Sequence, residues 1–158
     1  MFTERLDDAL VFASALHRSQ LRKGTSIPYV AHLLAVCSLV ISHGGDEDQA
    51  IAALLHDAAE DQGGEPTLNI IRQRFGGGVA RIVADCTDAW TEPKPIWRAW
   101  KEAHLAALPG KPPRSLLVSL ADKVRNARPS PRTAVYWVRI SGTVSPAGAM
   151  GRFGIMVH

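Results

Sequence analysis

The stretch "ALLHDAAED" at residues 53–61 ends an apolar run with one histidine and three carboxylates. These polar residues are His56, Asp57, Glu60 and Asp61. On a helical wheel at about 100° per residue they share one face, beside a face of leucine, isoleucine and alanine. Carboxylates at the C-terminal end of a helix are disfavoured by its dipole, and a bound cation would offset that cost. By itself the stretch leaves two interpretations open, a metal or catalytic site and a solvated helix end.

A metal at His56 and Asp57 would need further ligands from other helices. His32 in "PYVAHLL" and Asp122 in "SLLVSLADKVRN" are candidates, because each is a metal-binding residue type in apolar surroundings. Taken alone, His32 is typical of a core histidine, and Asp122 of an acid paired with a neighbouring lysine or arginine. Taken together, two histidines and two aspartates suit a hard or borderline divalent ion such as Mn²⁺.

The elements that must hold these residues are predicted as helices. Thr3 is suited to cap the first helix, and the second helix stops at Gly44–Gly45. The segment "DEDQ" at 46–49 matches a capping box, which opens a third helix. This third helix is predicted to carry the whole polar stretch and to end near Gly63–Gly64.

Further helical segments follow along the chain. Thr67 begins one of them, and Gly76–Gly78 interrupt the pattern before it continues. Two more helices are predicted at 96–108 and at 114–127. Six or seven helices with short connections and no alternating strand pattern predict an all-α domain.

The last part of the chain differs from the rest in charge and in pattern. From Arg128 onward there are four arginines and no lysine, aspartate or glutamate, so this segment carries a charge of +4. The first 127 residues carry 14 basic and 15 acidic groups, a net charge of −1. Because the basic charge comes from the tail, the first 127 residues do not show the excess of basic residues that is typical of nucleic-acid-binding proteins. We predict one domain at 1–128 and an atypical, irregular basic tail at 129–158.

The composition also bears on the location of the protein. No apolar run reaches the roughly 18–20 residues that cross a bilayer, and "MFTERLDDAL" lacks the profile of a signal peptide. The two cysteines, Cys37 and Cys86, occur in apolar contexts. We therefore predict free thiols, a cytoplasmic location and no membrane partner. The oligomeric state is left open.

Four segments, in order along the first 128 residues, match a known family. They are "ALHRSQLRKGTSIPYVAHLLAV" at 15–36, "AALLHDAAED" at 52–61, "IRQRFGGGVARIVADCTD" at 71–88 and "LADKVRNAR" at 120–128. In their order, H…HD…D, they resemble the HD-domain metal-dependent phosphohydrolases, and in particular the stand-alone (p)ppGpp hydrolases of the RelA/SpoT type. The HD dipeptide alone is weak evidence, whereas the ordered set is specific.

The resemblance implies an all-α HD-domain helical bundle that hydrolyses the 3′-pyrophosphate of guanosine tetra- or pentaphosphate with a metal-activated water. One divalent ion, Mn²⁺ or another divalent metal, would be bound. Its ligands would be His32, His56, Asp57 and Asp122.

The resemblance also assigns roles to residues around the metal. Glu60 and Asp61 match the family's second acidic pair, which orients or deprotonates the attacking water. Arg22, Lys23 and Asn126 match positions that bind the nucleotide substrate. From the residues alone, the basic pair also fits a solvated helix end, and the asparagine also fits a helix cap.

Three positions depart from the family pattern. Leu33 follows His32 where the family commonly has proline, Arg125 stands where histidine or tyrosine is frequent, and Pro129 replaces a frequent threonine. The change at Pro129 bears on the substrate more than on the metal. Two alternatives are therefore kept: an HD hydrolase of another nucleotide or phosphate ester, and a catalytically silent, nucleotide-binding HD domain.

Overall fold

The computed structural model describes residues 2–87 and 110–127. Their helices, in chain order, are α1 (Glu4–Leu16), α2 (Val30–Ser42), α3 (Glu47–Leu55), α4 (Ala58–Asp61), α5 (Gly64–Phe75), α6 (Gly77–Cys86) and α7 (Pro113–Ala127). These two ranges contain no β-strand, and one isolated bridge joins Leu21 and Pro28. The predicted all-α class is confirmed, and the described residues alone hold seven helices. The helix predicted at 96–108 and the tail predicted at 129–158 lie outside the described residues.

The chain divides into two compact units, Met1–Arg125 and Asn126–His158. The domain boundary predicted after residue 128 stays a prediction. Within the described ranges, no helix is long and apolar enough to cross a membrane. Cys37 and Cys86 are free thiols, as predicted, and burial raises the pKa of Cys37 to about 11.

Helix α3 lies at the centre of the bundle. Its residues from Gln49 to Leu55 are all buried, and it packs against α1, α2 and α6. Burial of a leucine or isoleucine side chain contributes about 1.5–3 kcal/mol to folding, so this apolar run anchors α3 firmly. The residues that follow it, His56 and Asp57, are therefore presented from a rigid support.

The predicted helix caps are confirmed. Thr3 Oγ1 accepts a hydrogen bond from the backbone N–H of Arg5, at the start of α1. Asp46 and Gln49 form a reciprocal capping box at the start of α3, with two bonds of 3.0 Å. The amide of Gln49 also donates to the backbone carbonyl of Arg114 at 3.1 Å, which ties the start of α3 to α7.

The end of α2 requires glycine, as the sequence predicts. Gly44 has a φ of +79°, in the region that favours glycine. At Gly45, a Cβ would lie 2.5 Å from Val40 Cγ1 and 2.8 Å from the Val40 carbonyl oxygen. A side chain at Gly45 would therefore push the α2–α3 connection off the bundle.

The prediction of one continuous helix through the polar stretch is wrong. Helix α3 ends at Leu55, the chain turns at His56 and Asp57, and α4 begins at Ala58. The ring Nδ1 of His56 lies 2.9 Å from the carbonyl oxygen of Ala53 and satisfies a backbone acceptor in the last turn of α3. The helical wheel could not show this break, because the bond depends on the rotamer of one side chain.

Substitution at Asp46 tests the capping box. We expect Asp46→Ala to lower the free energy of unfolding by about 1 kcal/mol or more, because the backbone N–H of Gln49 loses its acceptor. Asp46→Asn keeps a side-chain oxygen and loses only the exposed ion pair with Arg114, so its loss should stay below about 0.5 kcal/mol. Urea unfolding measures both variants. Equal losses would show that the charge, and not the cap, carries the effect.

Candidate metal centre

Three separate parts of the fold bring the four predicted ligands together. His32 lies in the first turn of α2, His56 and Asp57 form the turn between α3 and α4, and Asp122 lies on α7. Both histidines are almost fully buried, with exposures of 1% for His32 and 3% for His56. Asp57 is half-buried and Asp122 is buried. The structure therefore places two imidazoles and two carboxylates in one shielded cluster.

The distances between the ligand atoms suit a shared cation. His56 Nε2 lies 2.9 Å from Asp57 Oδ2, and His32 Nε2 lies 3.2 Å from Asp122 Oδ1. The cross distances are 3.7 Å from His56 Nε2 to Asp122 Oδ1 and 3.8 Å from His32 Nε2 to Asp57 Oδ2. Neighbouring ligands at about 2.1 Å from an ion and at right angles lie about 3 Å apart. Each carboxylate oxygen thus lies within 3.8 Å of both imidazole nitrogens, and the ligand atoms of His32, His56 and Asp57 all lie within 4.8 Å of one another, close enough to share one divalent metal in the space between them.

The hydrogen bonding of His56 directs its Nε2 atom into this space. A carbonyl oxygen only accepts, so Nδ1 must carry the proton in the bond to Ala53. Nε2 is buried and makes no aligned hydrogen bond within the described parts of the chain, although Asp57 Oδ2 is 2.9 Å away. Buried polar atoms are rarely left in this state. An imidazole with Nδ1 bonded to a carbonyl and Nε2 left available is the usual arrangement of a metal-binding histidine.

The charges in the cluster shift the pKa values of its members. Burial lowers the pKa of His56, but the negative charges of Asp57 and Asp122 outweigh it and raise this pKa well above its ordinary value. Burial raises the pKa of Asp57, but His56 and the Tyr29 hydroxyl lower it to about 2. Burial likewise opposes ionisation of Asp122, yet its contacts with His32 and His56 hold its pKa well below the usual range. Positive charge therefore stabilises the ionised carboxylates of the cluster, and either a proton on His56 or a divalent cation can supply it.

Two residues outside the predicted set orient the carboxylates. The Tyr29 hydroxyl donates to Asp57 Oδ2, and the Lys123 ammonium lies 2.9 Å from Asp122 Oδ2. Asp122 thus has both of the contacts that the sequence suggested as alternatives, with Oδ1 facing the histidines and Oδ2 facing lysine. Residues that hydrogen-bond the ligands in this way fix the geometry of metal sites.

Tyr29 was not predicted as a site residue. Its ring stacks on His17 at 5.3 Å and meets His32 at 5.4 Å between ring centroids. Its position three residues before His32, just outside the same helix, is the signal that could have found it. Burial raises its pKa, and the negative charges of Asp57 and then Asp61 raise it further.

The second acidic pair lies on α4, directly after the ligand turn. Glu60 is half-buried and Asp61 is exposed. Asp61 Oδ2 accepts a hydrogen bond of 2.8 Å from the Gln20 amide. The negative charge of Asp61 also contributes to the raised pKa of the Tyr29 hydroxyl, after burial and Asp57.

The predicted substrate-binding residues lie in two places. Arg22 and Lys23 belong to the loop between α1 and α2, so they do not form a solvated helix end. The backbone N–H of Arg22 donates to Ile27 at 2.9 Å, and its carbonyl accepts from Thr25 at 2.9 Å, which gives the loop a defined turn. Asn126 is the penultimate residue of α7. Its contact with a nucleotide stays a prediction.

Comparison with known proteins places the chain in a family. The model of the HD domain matches residues 9–135. The guanosine-3′,5′-bis(diphosphate) 3′-pyrophosphohydrolase MESH1 of Homo sapiens is 37% identical over 127 residues, which cover 78% of this chain and 68% of that protein. The guanosine-3′,5′-bis(diphosphate) 3′-pyrophosphohydrolase of Aquifex aeolicus is 34% identical over 125 residues, covering 79% of this chain and 18% of that protein.

A solved structure supports the same relationship. It is described as "A metazoan ortholog of SpoT hydrolyzes ppGpp and plays a role in starvation responses". It superposes with a TM-score of 0.70 at 26% identity, over 87% of this chain and 82% of that one. The chain therefore belongs to the HD-domain family. It is a metal-dependent phosphohydrolase by class, and membership of this family implies a divalent metal ion.

Tyr29→Phe tests whether the hydroxyl supports the metal centre. The phenylalanine ring keeps the stacking on His17, while Asp57 loses the hydroxyl that donates to its Oδ2 atom. Because loss of a hydrogen bond to a metal ligand weakens metal affinity, we expect a divalent metal ion to bind about 10- to 100-fold more weakly. Competition with a chelator measures this affinity, and thermal unfolding checks that the fold is retained. An unchanged affinity would contradict the role given to the hydroxyl.

Proposed function

We propose that the protein hydrolyses the 3′-pyrophosphate of guanosine tetra- or pentaphosphate and releases pyrophosphate. One Mn²⁺ ion would be held by His32, His56, Asp57 and Asp122. The observation that carries the proposal is the convergence of their four ligand atoms, each carboxylate oxygen lying within 3.8 Å of both imidazole nitrogens. The names of the relatives, MESH1 among them, support the choice of substrate.

A divalent ion at this position supplies Lewis-acid charge for the phosphoryl oxygens and makes a nearby water more acidic. Two imidazoles and two carboxylates form a mixed nitrogen and oxygen set, which suits Mn²⁺ among the divalent metals. In the metal-free protein the nearby carboxylates raise the pKa of His56 and so favour its protonated form. Metal binding would release that proton, so the affinity would fall as the pH decreases.

Glu60 or Asp61 on α4 would accept a proton from the attacking water. The water oxygen forms a bond to the phosphorus next to the ribose 3′ oxygen, and the bond from that phosphorus to the 3′ oxygen breaks. Glu60 or Asp61 accepts a proton from the water, and the departing 3′ oxygen takes up a proton. Both acids follow the ligand turn by only a few residues, so the rigid end of α3 also positions α4.

The basic residues of the α1–α2 loop would bind the nucleotide. The Arg22 guanidinium can stack on a purine or pair with phosphate oxygens, and the Lys23 ammonium adds charge for the phosphates. Lys23 is exposed and accessible to a ligand from solvent. Asn126 would add a hydrogen bond to the ribose or a phosphate.

A substrate panel tests the proposed reaction. Purified protein with Mn²⁺ should convert guanosine tetraphosphate to guanosine diphosphate and pyrophosphate, measured by chromatography. Asp57→Ala should lose both the metal, measured by elemental analysis, and the turnover, while the exposed-surface variant Glu65→Gln should keep both. Turnover of only other nucleotides or phosphate esters would contradict the substrate. A metal-loaded protein that turns over none of them would be a silent nucleotide-binding domain.

Glu60→Gln tests the role of the acidic pair. The amide keeps the size of the side chain but cannot accept a proton, so kcat should fall by about 10²- to 10⁴-fold. The metal content should stay at the wild-type level, because Glu60 is not among the proposed ligands. Glu65→Gln on α5 is the matched control. A rate within about two-fold of wild type would refute the role of Glu60.

A further inference from the structure

The side chain of Gln20 links the α1–α2 loop to the acidic pair. Its Nε2 donates to Asp61 Oδ2 at 2.8 Å. Its Oε1 lies 2.6 Å from His17 Nδ1 and 2.6 Å from Gln62 Nε2. One amide therefore makes three polar contacts. Of the three partners, Asp61 is the one with a proposed role in catalysis.

The chemistry of Asp61 decides the orientation of this amide. An ionised carboxylate only accepts hydrogen bonds, so the NH₂ of Gln20 must face Asp61. Its carbonyl oxygen must then face His17 and Gln62, and both of these residues must donate. His17 consequently carries its proton on Nδ1. Two donors on Oε1 prevent the amide from flipping, since a flip would set NH₂ against N–H on one side and oxygen against carboxylate on the other.

The surroundings of Gln20 hold it in place. Its backbone N–H donates to the carbonyl of His17 at 3.1 Å, and its carbonyl accepts from the N–H of Tyr29 at 2.9 Å. His17 is 2% exposed and stacks on the Tyr29 ring. The backbone and the acceptor end of Gln20 are thus fixed by buried or bonded neighbours, while its donor end reaches an exposed acid.

We propose that Gln20 is a positioning residue that holds the Asp61 carboxylate in the orientation needed to act on the attacking water. The bond engages Oδ2 and restricts the rotamers of an otherwise exposed side chain, so Oδ1 would be the oxygen that accepts from the attacking water. This inference rests on the role proposed for Asp61. Gln20 itself touches no reacting atom and acts only through that carboxylate.

Kinetics of paired variants test the inference. Gln20→Met keeps the length of the side chain and removes both polar ends, so kcat should fall about 10- to 100-fold. KM should stay within about three-fold and the metal content should not change, because neither the proposed ligands nor the basic loop residues are altered. Gln20→Glu places a second carboxylate against Asp61 and should lower kcat at least as far. Gln62→Met is the matched control and should keep kcat within about two-fold, because the bond to Asp61 remains.

A double-mutant cycle separates positioning from a general structural role. When Asp61→Asn is already present, adding Gln20→Met should lower kcat by less than about two-fold. The same loss in both backgrounds would overturn the proposal, and so would a kcat unchanged by Gln20→Met in the wild-type background.

A crystal structure of Gln20→Met gives a readout that needs no turnover. We expect the Asp61 carboxylate to leave the position it has beside residue 20, while His56 and Asp57 stay in place. An Asp61 side chain in the same position would overturn the proposal. Absence of guanosine tetraphosphate hydrolysis by the wild-type protein would refute the proposed function, but this structural result would still decide whether Gln20 positions Asp61.

Discussion

The burial of ionisable side chains at one point of an apolar bundle is the constraint on which the rest of this structure depends. His32 and His56 are almost completely shielded, and the carboxylate of Asp122 lies against both. An uncompensated buried charge costs several kcal/mol, whereas a paired one can be tolerated. The cluster meets this requirement through its contacts between opposite charges and through Lys123 on the outer oxygen of Asp122. A divalent cation satisfies the same requirement, so the features that make the cluster costly also suit it to the metal binding that the HD-domain family implies.

At the turn between α3 and α4, two adjacent side chains converge on one point. Adjacent residues on a helix point about 100° apart, yet His56 Nε2 and Asp57 Oδ2 lie 2.9 Å from each other. Both residues keep backbone angles in the right-handed helical region, with φ/ψ of −60°/−32° at His56 and −96°/−1° at Asp57, so the side-chain rotamers bring the two atoms together. The bond from the His56 ring to Ala53 then replaces part of the bonding that the helix end lacks. The apolar run before the turn keeps it rigid.

The parts of this fold that depend on neighbouring residues could be predicted from the sequence. The capping box of Asp46 and Gln49 is one case, because both partners lie in one helical turn. The glycine stop at Gly44–Gly45 is another, because it follows from the backbone of those residues. The four candidate ligands came from residue types in apolar surroundings, the resemblance to a family assigned them to one metal, and the structure brings them together. Other features join residues far apart in the chain: Tyr29 meets Asp57 across 28 positions, and Gln20 meets Asp61 across 41. The spacing of Tyr29 before His32 could have marked it as a neighbour of the site, but neither pair leaves a periodic pattern, so the contacts themselves could not be predicted.

The α1–α2 loop joins these long-range contacts into one support. The bridge between Leu21 and Pro28 and the bond from the Tyr29 N–H to the Gln20 carbonyl fold the loop back on itself. Tyr29 and Gln20 therefore stand side by side, although they are separated in sequence. Tyr29 donates a hydrogen bond to the proposed ligand Asp57, and Gln20 donates one to Asp61. The backbone pairing of this loop therefore supports both of the functions proposed for the acidic stretch. The tip of the same loop carries Arg22 and Lys23, so a nucleotide bound there would be positioned by the segment that also orients the acids.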